Sequence, residues 1–143
     1  MAIAGAPGAR PRASAAAARM ARVLDHVGFE VSDLARSAAF YDALFHPLGG
    51  RRIFESPDAI GYGINDARLW IVARGRAPGP GFGHVAISAH GRPAVNAAYE
   101  AALAAGGTDD GAPGPRHQYG PRYYSAYLLD PDGLRVELVT GSH

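Results

Sequence analysis

The chain repeats itself, and this internal repeat constrains its fold more than any other feature. The segments HVGFEV (26–31) and HVAISA (84–89) superpose with a shift of 58 residues. The same shift places AFYDALF (39–45) on AAYEAAL (97–103), and a double glycine follows each of them. Self-similarity at such a fixed period predicts a duplicated supersecondary unit.

Each copy has the pattern of a strand, a helix and three further strands. The first strands are expected at 23–31 and 84–89, with Ser32 as the N-cap of the first helix and Pro93 in the first turn of the second. Both helices should end at the double glycine, which suits a left-handed exit. The other strands are expected at about 51–55, 59–64, 68–73, 108–112, 122–130 and 134–140. The predicted fold class is α+β, with tandem βαβββ modules forming a curved mixed sheet around a shared cleft.

The length of 143 residues predicts one domain, covering 22–143, with modules at about 22–74 and 82–140. Residues 1–21 contain three arginines, no acid and few bulky apolar side chains. Such a segment buries little surface, so we expect a disordered extension, or residues that precede a true start at Met20. Its composition also resembles a transit peptide.

Composition excludes several classes of function. Cysteine is absent, which excludes disulfides and thiolate ligands and fits a reducing compartment, so a cytoplasmic location is expected. All 14 basic residues are arginines, which excludes Schiff-base chemistry on lysine. The net charge of +1 gives no sign of a nucleic-acid surface, and no run of about 20 apolar residues could span a membrane. The expected partner is a small molecule.

Three segments carry a resemblance to a known family: LDHVGFEVSDLARSAAFYDALF, GHVAIS and YLLDPDGLRVEL. In this order they resemble the vicinal oxygen chelate superfamily, which includes glyoxalase I, fosfomycin-resistance proteins, extradiol dioxygenases and bleomycin-resistance proteins. The resemblance covers about 22–140. It implies a metal-dependent lyase, isomerase or dioxygenase that binds its substrate through vicinal oxygens. The alternative is a non-catalytic drug-binding protein of the bleomycin-resistance type.

Strand alternation turns three candidate metal ligands away from the helices: His26, His84 and Glu137. Two histidines and one carboxylate are the composition of a facial metal triad. The resemblance implies that these positions bind a divalent ion, without distinguishing Fe, Mn, Ni, Zn and Co. For each residue alone, a hydrogen-bonded histidine or a carboxylate paired with Arg135 remains an alternative.

Two aromatic residues bear on the choice of reaction. Glyoxalase I has a fourth ligand, an acid, at or near the position of Trp70, and tryptophan cannot coordinate a metal. Trp70 is therefore either a wall of the cleft that stacks on substrate or a core residue. The spacing from Tyr127 to Glu137 resembles the extradiol dioxygenases, in which the tyrosine assists the substrate oxygen, and this makes Tyr127 the candidate catalytic residue. A core tyrosine is the alternative.

The long segment GAPGPRHQYGPRYY (111–124) is typical of a lid or binding loop. Its arginines and aromatic residues suit an anionic or aromatic ligand, although a solvated surface loop is the alternative. Pairing of the modules across a two-fold axis would make a homodimer. With Trp70, the candidate substrate-binding residues are Arg116, His117, Tyr119, Arg122 and Tyr124.

Overall fold

A computed structural model of the chain describes residues 24–79, 81 and 83–142. The extension expected at 1–21 lies outside the described residues. No helix in these described ranges is long and apolar enough to cross a membrane.

The described residues form two modules of the predicted kind. The first contains β1 (Val27–Val31), α1 (Leu34–Phe45), a 3-10 helix (His46–Leu48), β2 (Arg51–Glu55), β3 (Ala59–Gly63) and β4 (Ala67–Ala73). The second contains β5 (His84–Ser88), α2 (Arg92–Ala104), β6 (Thr108–Asp109), β7 (Gly114–Pro115), β8 (Tyr124–Leu129) and β9 (Arg135–Thr140). The segment expected as one strand at 108–112 is thus only the short β6, and β7 follows it.

Each module has its own mixed sheet with the same topology. The strand order is β1-β4-β3-β2 in the first sheet and β5-β9-β8-β6 in the second, with β7 also pairing with β8. The first strand of each module runs parallel to the last, and the other pairs are antiparallel. The tandem α+β architecture predicted from the repeat is confirmed.

The helix ends follow the sequence signals with one exception. The N-cap of α1 is Asp33, not Ser32, because the Asp33 backbone is extended and its carboxylate accepts a hydrogen bond of 2.9 Å from the Arg36 amide. Pro93 lies in the first turn of α2, as expected. Both helical segments are followed by a glycine with positive φ, 77° at Gly49 and 104° at Gly106.

The core lies between the sheets and the two helices, and α1 contacts α2 directly. No strand of one sheet pairs with a strand of the other within the described ranges. The modules of one chain are therefore joined through their helices. The largest fully buried apolar side chains are Tyr41, Tyr62, Phe40, Leu44, Ile71, Leu128 and Leu138.

The Asp-Pro-Asp-Gly turn between β8 and β9 also joins the modules. Asp130 accepts a hydrogen bond of 2.8 Å from the Tyr41 hydroxyl in α1. Asp132 accepts bonds from the Ser32 amide at 3.1 Å and from the Arg36 guanidinium at 3.1 Å. The turn thus fixes the start of α1 against the second sheet.

Candidate functional site

Strand alternation gives each sheet a surface turned away from the helices, which we call the outer face. In β5, Val85 and Ile87 are partly buried, whereas His84 and Ala86 are exposed on the outer face. Because Ala86 lies opposite Glu137 in the parallel pairing of β5 with β9, Glu137 belongs to the same face. The predicted orientation of His84 and Glu137 is confirmed.

Glu137 is a buried carboxylate with polar neighbours on both oxygens. Its side chain is 2% exposed, and its Oε2 lies 3.1 Å from His84 Nε2. Its Oε1 accepts a hydrogen bond of 2.6 Å from the Tyr123 hydroxyl. Tyr127 lies directly opposite Glu137 in the pairing of β8 with β9, and its ring meets the His84 ring edge-on at 5.9 Å.

The two tyrosines keep their protons at neutral pH. Burial and the hydrogen bond to Glu137 raise the pKa of Tyr123 above its ordinary value. The same two causes raise the pKa of Tyr127. Both phenols therefore act as hydrogen-bond donors beside the carboxylate.

His26 lies in the other module. Its side chain is 55% exposed, and its Nδ1 lies 2.7 Å from the Asp25 carboxylate. Within the part of the chain that the structure describes, no three residues among histidines, aspartates and glutamates are placed to hold a metal ion together. One chain thus brings His84 and Glu137 together and leaves His26 apart from them.

Trp70 occupies the position in the first sheet that Glu137 occupies in the second. Trp70 lies opposite Gly28, as Glu137 lies opposite Ala86, and the 58-residue shift matches Gly28 with Ala86. Its ring lies 6.4 Å from the His26 ring and 5.2 Å from that of Phe54, which is 46% exposed. Trp70 therefore belongs to the outer face and not to the core.

A polar cavity of about 220 Å³ adjoins Tyr127. Arg116 and Tyr119 from the long loop line it, together with Asp110 and Arg135. The structure thus places two of the predicted substrate contacts next to the candidate catalytic tyrosine. Arg135, Asp110 and Tyr123 were not among the candidates from the sequence. The even spacing, two residues from Arg135 to Glu137 and four from Tyr123 to Tyr127, was the available signal for Arg135 and Tyr123, because it places them on the same face of their strands.

The remaining loop candidates lie elsewhere. Tyr124 faces the helix side, where its hydroxyl donates a hydrogen bond of 2.8 Å to Asn96 of α2 and Arg92 stacks over its ring. This position does not suit the substrate contact expected of Tyr124, because strand alternation turns it away from Tyr127. His117 and Arg122 are exposed on the loop surface.

Three solved structures illustrate the similarity to known proteins. A glyoxalase/bleomycin resistance protein from Albidiferax ferrireducens is 30% identical, with a TM-score of 0.71, and the match covers 82% of this chain and 98% of that one. A glyoxalase-related enzyme from Fulvimarina pelagi is 25% identical, with a TM-score of 0.64 and coverages of 83% and 87%.

The third is a mutant of the fosfomycin resistance protein FosX from Listeria monocytogenes, in complex with Mn(II) and 1S,2S-dihydroxypropylphosphonic acid. It is 23% identical, with a TM-score of 0.60 and coverages of 80% and 86%, and shows likeness of fold alone. A comparison with curated protein sequences gave no match. The family described as the Glyoxalase/Bleomycin resistance protein/Dioxygenase superfamily matches residues 23–138. The chain therefore belongs to this superfamily, the vicinal oxygen chelate proteins.

Proposed function

We propose that the protein is a metal-dependent enzyme of the glyoxalase/dioxygenase type that binds a small substrate through two neighbouring oxygens. The ligands of the divalent ion would be His84 and Glu137 of one chain and His26 of a second copy. The observation that carries the proposal is the buried Glu137 carboxylate, 3.1 Å from the His84 imidazole.

The donor set fits a divalent cation. A buried carboxylate is costly unless a positive charge compensates it. No guanidinium forms an ion pair with Glu137 in the described ranges, because Arg135 Nε donates to Asp110 at 2.5 Å. Neutral imidazole and carboxylate are ligands of the ions that this superfamily uses. Mn(II) in the Listeria FosX complex shows that a protein of this fold can hold such an ion.

A second copy of the chain is proposed because one chain brings together only two of the three proposed metal ligands, His84 and Glu137. The modules of a chain meet through their helices, so the outer faces with His26 and His84 are free to face another chain. A two-fold pairing of the first module with the second module of the partner would give two equivalent sites per homodimer.

The surrounding residues indicate how the substrate would be held. A bound metal would act as a Lewis acid on the substrate oxygens. Tyr127 lies opposite Glu137, and its hydroxyl would donate a hydrogen bond to a substrate oxygen in place of the one that it makes with Glu137. Trp70 and Phe54 of the opposite module would form the apolar wall of the cleft.

A second candidate function is supported by the same aromatic wall. An outer face with Trp70 beside the exposed Phe54 suits the flat apolar surface of a drug-sized ligand. A non-catalytic binding protein would use this surface without a metal. Ligand affinity that does not change on adding a chelator would favour the binding protein over the enzyme.

Metal content tests the proposed ligands. Wild type, His26→Ala, His84→Ala and Glu137→Gln are equilibrated with a mixture of divalent metals and analysed for bound ions. We expect stoichiometric metal in wild type and a strong loss in each variant. His90→Ala is the matched control, because His90 is an exposed residue outside the site. Equal metal in all five proteins, or none in wild type, would remove the proposal.

Mixing two inactive variants tests the shared site. A dimer of one His26→Ala chain and one His84→Ala chain has one intact set, formed by His26 of the second chain and His84 of the first. After random exchange of chains, about a quarter of the wild-type sites should bind metal again. A site formed within one chain would show no recovery on mixing.

A further inference from the structure

We propose that the protein binds an oxyanion, namely a carboxylate, phosphate or phosphonate group, in the cavity between Arg116 and Tyr127. If the proposed metal site is correct, its substrate carries this group close to the two oxygens that approach the metal. The presence of this group on a metal-bound substrate rests on the proposed function, whereas the oxyanion site is argued from its own residues.

The cavity adjoins the candidate metal site on the outer face of the second module. Arg135 lies opposite His84 in the pairing of β5 with β9, and it precedes Glu137 by two residues on the same face. The Tyr127 ring has the Arg135 guanidinium 3.9 Å from its centroid and the Arg116 guanidinium at 5.7 Å. A group bound beside Arg135 would therefore lie close to Glu137, on the same face of the sheet.

The cavity has an excess of positive charge. Asp110 is its one lining acid, and it pairs with Arg135. Arg116 has no carboxylate partner among the described residues, and its guanidinium donates only to the Ala112 carbonyl, at 3.0 Å. The Nε of Arg116 is buried without any acceptor. Because no carboxylate in the described ranges compensates the charge of this guanidinium, an anion in the cavity that accepts hydrogen bonds from it would be stabilised.

The loop holds Arg116 in place for this role. The Arg116 amide donates to the Tyr123 carbonyl at 2.9 Å, and the Tyr119 amide donates to the Arg116 carbonyl at 3.0 Å. Gly111 has φ of 144°, and a Cβ there would lie 3.2 Å from Arg116 Nη2. A glycine at this point therefore leaves room for the guanidinium.

The chemistry of the lining selects the ligand. Guanidinium groups bind carboxylate and phosphate oxygens through paired, charge-assisted hydrogen bonds. Gln118 and Tyr119 add polar groups at the rim. A volume of about 220 Å³ accommodates an oxyanion and the adjoining part of a small substrate. A neutral apolar ligand would leave Arg116 without an acceptor.

Anion binding is tested on the full chain without metal. Inorganic phosphate and acetate are titrated separately, and the dissociation constants are measured from NMR shift changes. Arg116→Gln should weaken binding of the preferred anion about tenfold or more, and Arg116→Lys should fall in between. Arg92→Gln is the matched control, because Arg92 also stacks on a tyrosine, 4.9 Å from the Tyr124 centroid, but on the helix side. The tighter anion identifies the class of substrate group.

Two results would overturn the proposal: no saturable binding of either anion by wild type, or the same dissociation constant for wild type and Arg116→Gln. Failure of the metal site is recognised separately. Metal content of Arg116→Gln should match wild type, and anion binding without any metal binding would reject the proposed function while keeping the oxyanion site.

Discussion

Trp70 and Glu137 hold the same register position in the two repeats, Trp70 opposite Gly28 and Glu137 opposite Ala86. The repeat therefore presents an indole in one module where the other presents a carboxylate. In the proposed dimer, the outer face with Trp70 would meet the outer face with Glu137. The cleft would then combine one polar, ligand-bearing wall with one aromatic wall.

This asymmetry predicts that the protein does not isomerise the hemithioacetal of methylglyoxal and glutathione. The resemblance implies that glyoxalase I has an acid at or near the position of Trp70, and the Trp70 nitrogen is only a donor. The rate should equal the uncatalysed background with each divalent metal added in turn. It is measured from the absorbance of the thioester product. Turnover well above background would mean that another acid supplies the base.

Substitution of Gly61 should displace Trp70. A Cβ at Gly61 would lie 3.1 Å from two atoms of the indole and 2.8 Å from the Ala67 Cβ, so Gly61→Ala forces the ring to move. Trp70 is the single tryptophan of the chain, so the emission maximum of the protein reports its surroundings. We expect a shifted maximum in Gly61→Ala. Gly79→Ala is the control, because nothing lies within 4 Å of a Cβ there. Equal spectra would contradict the position of Trp70 over Gly61.

The repeat was sufficient to predict the fold, because its period fixed both modules and strand alternation fixed which side chains leave the core. The outward position of His84 was predicted for this reason, whereas the sequence left Trp70 open between the wall of the cleft and the core. The orientation of Tyr124 was not predicted, because the loop segment 111–124 overlaps the start of β8, and loop composition does not determine on which face of the strand Tyr124 lies. Tyr123, Ser125 and Tyr127 are spaced by two residues and therefore point to the same face of the sheet. The outward position of Tyr123 could thus also have been predicted from the sequence.

Other features depend on how distant segments meet and could not be read from local pattern. The contact of the Asp-Pro-Asp-Gly turn with α1 joins residues about 90 positions apart, Tyr41 with Asp130. Ser32 was expected as an N-cap, but its amide and hydroxyl bind Asp132 across the module boundary. The separation of His26 from His84 likewise follows from helix packing between modules, which strand periodicity does not determine.

The bond between Tyr41 and Asp130 should contribute to stability. Tyr41→Phe removes a buried donor from a buried carboxylate, so the free energy of unfolding should fall by about 1–3 kcal/mol. Tyr99→Phe is the matched control. Tyr99 is the repeat equivalent of Tyr41, and its hydroxyl donates to Asp109, an exposed carboxylate that water can solvate. Urea denaturation of both variants measures the difference. A larger loss in Tyr99→Phe would contradict a stabilising role for the junction between modules.

The same two pairs should respond to pH with opposite sign. Burial raises the pKa of Asp130, so the folded state holds this proton more tightly than the unfolded state does. The stability that this group contributes is full below the unfolded pKa, about 3.9, and is lost as pH rises through the higher folded pKa. The difference in unfolding free energy, wild type minus Asp130→Asn, should therefore decrease as pH rises above about 4.

Asp109 provides the contrast. The hydrogen bond from the Tyr99 hydroxyl, with a second from the Gly111 amide, lowers the pKa of Asp109. Its contribution is present above the unfolded pKa and is lost as pH falls through the lower folded pKa, so wild type minus Asp109→Asn should decrease with falling pH below about 4. Both differences are obtained by urea denaturation across a pH series. Subtracting the variant from wild type cancels the titration of the other groups, which the two proteins share. If both differences changed in the same direction with pH, burial would not be the dominant influence on the pKa of the Asp130 carboxyl.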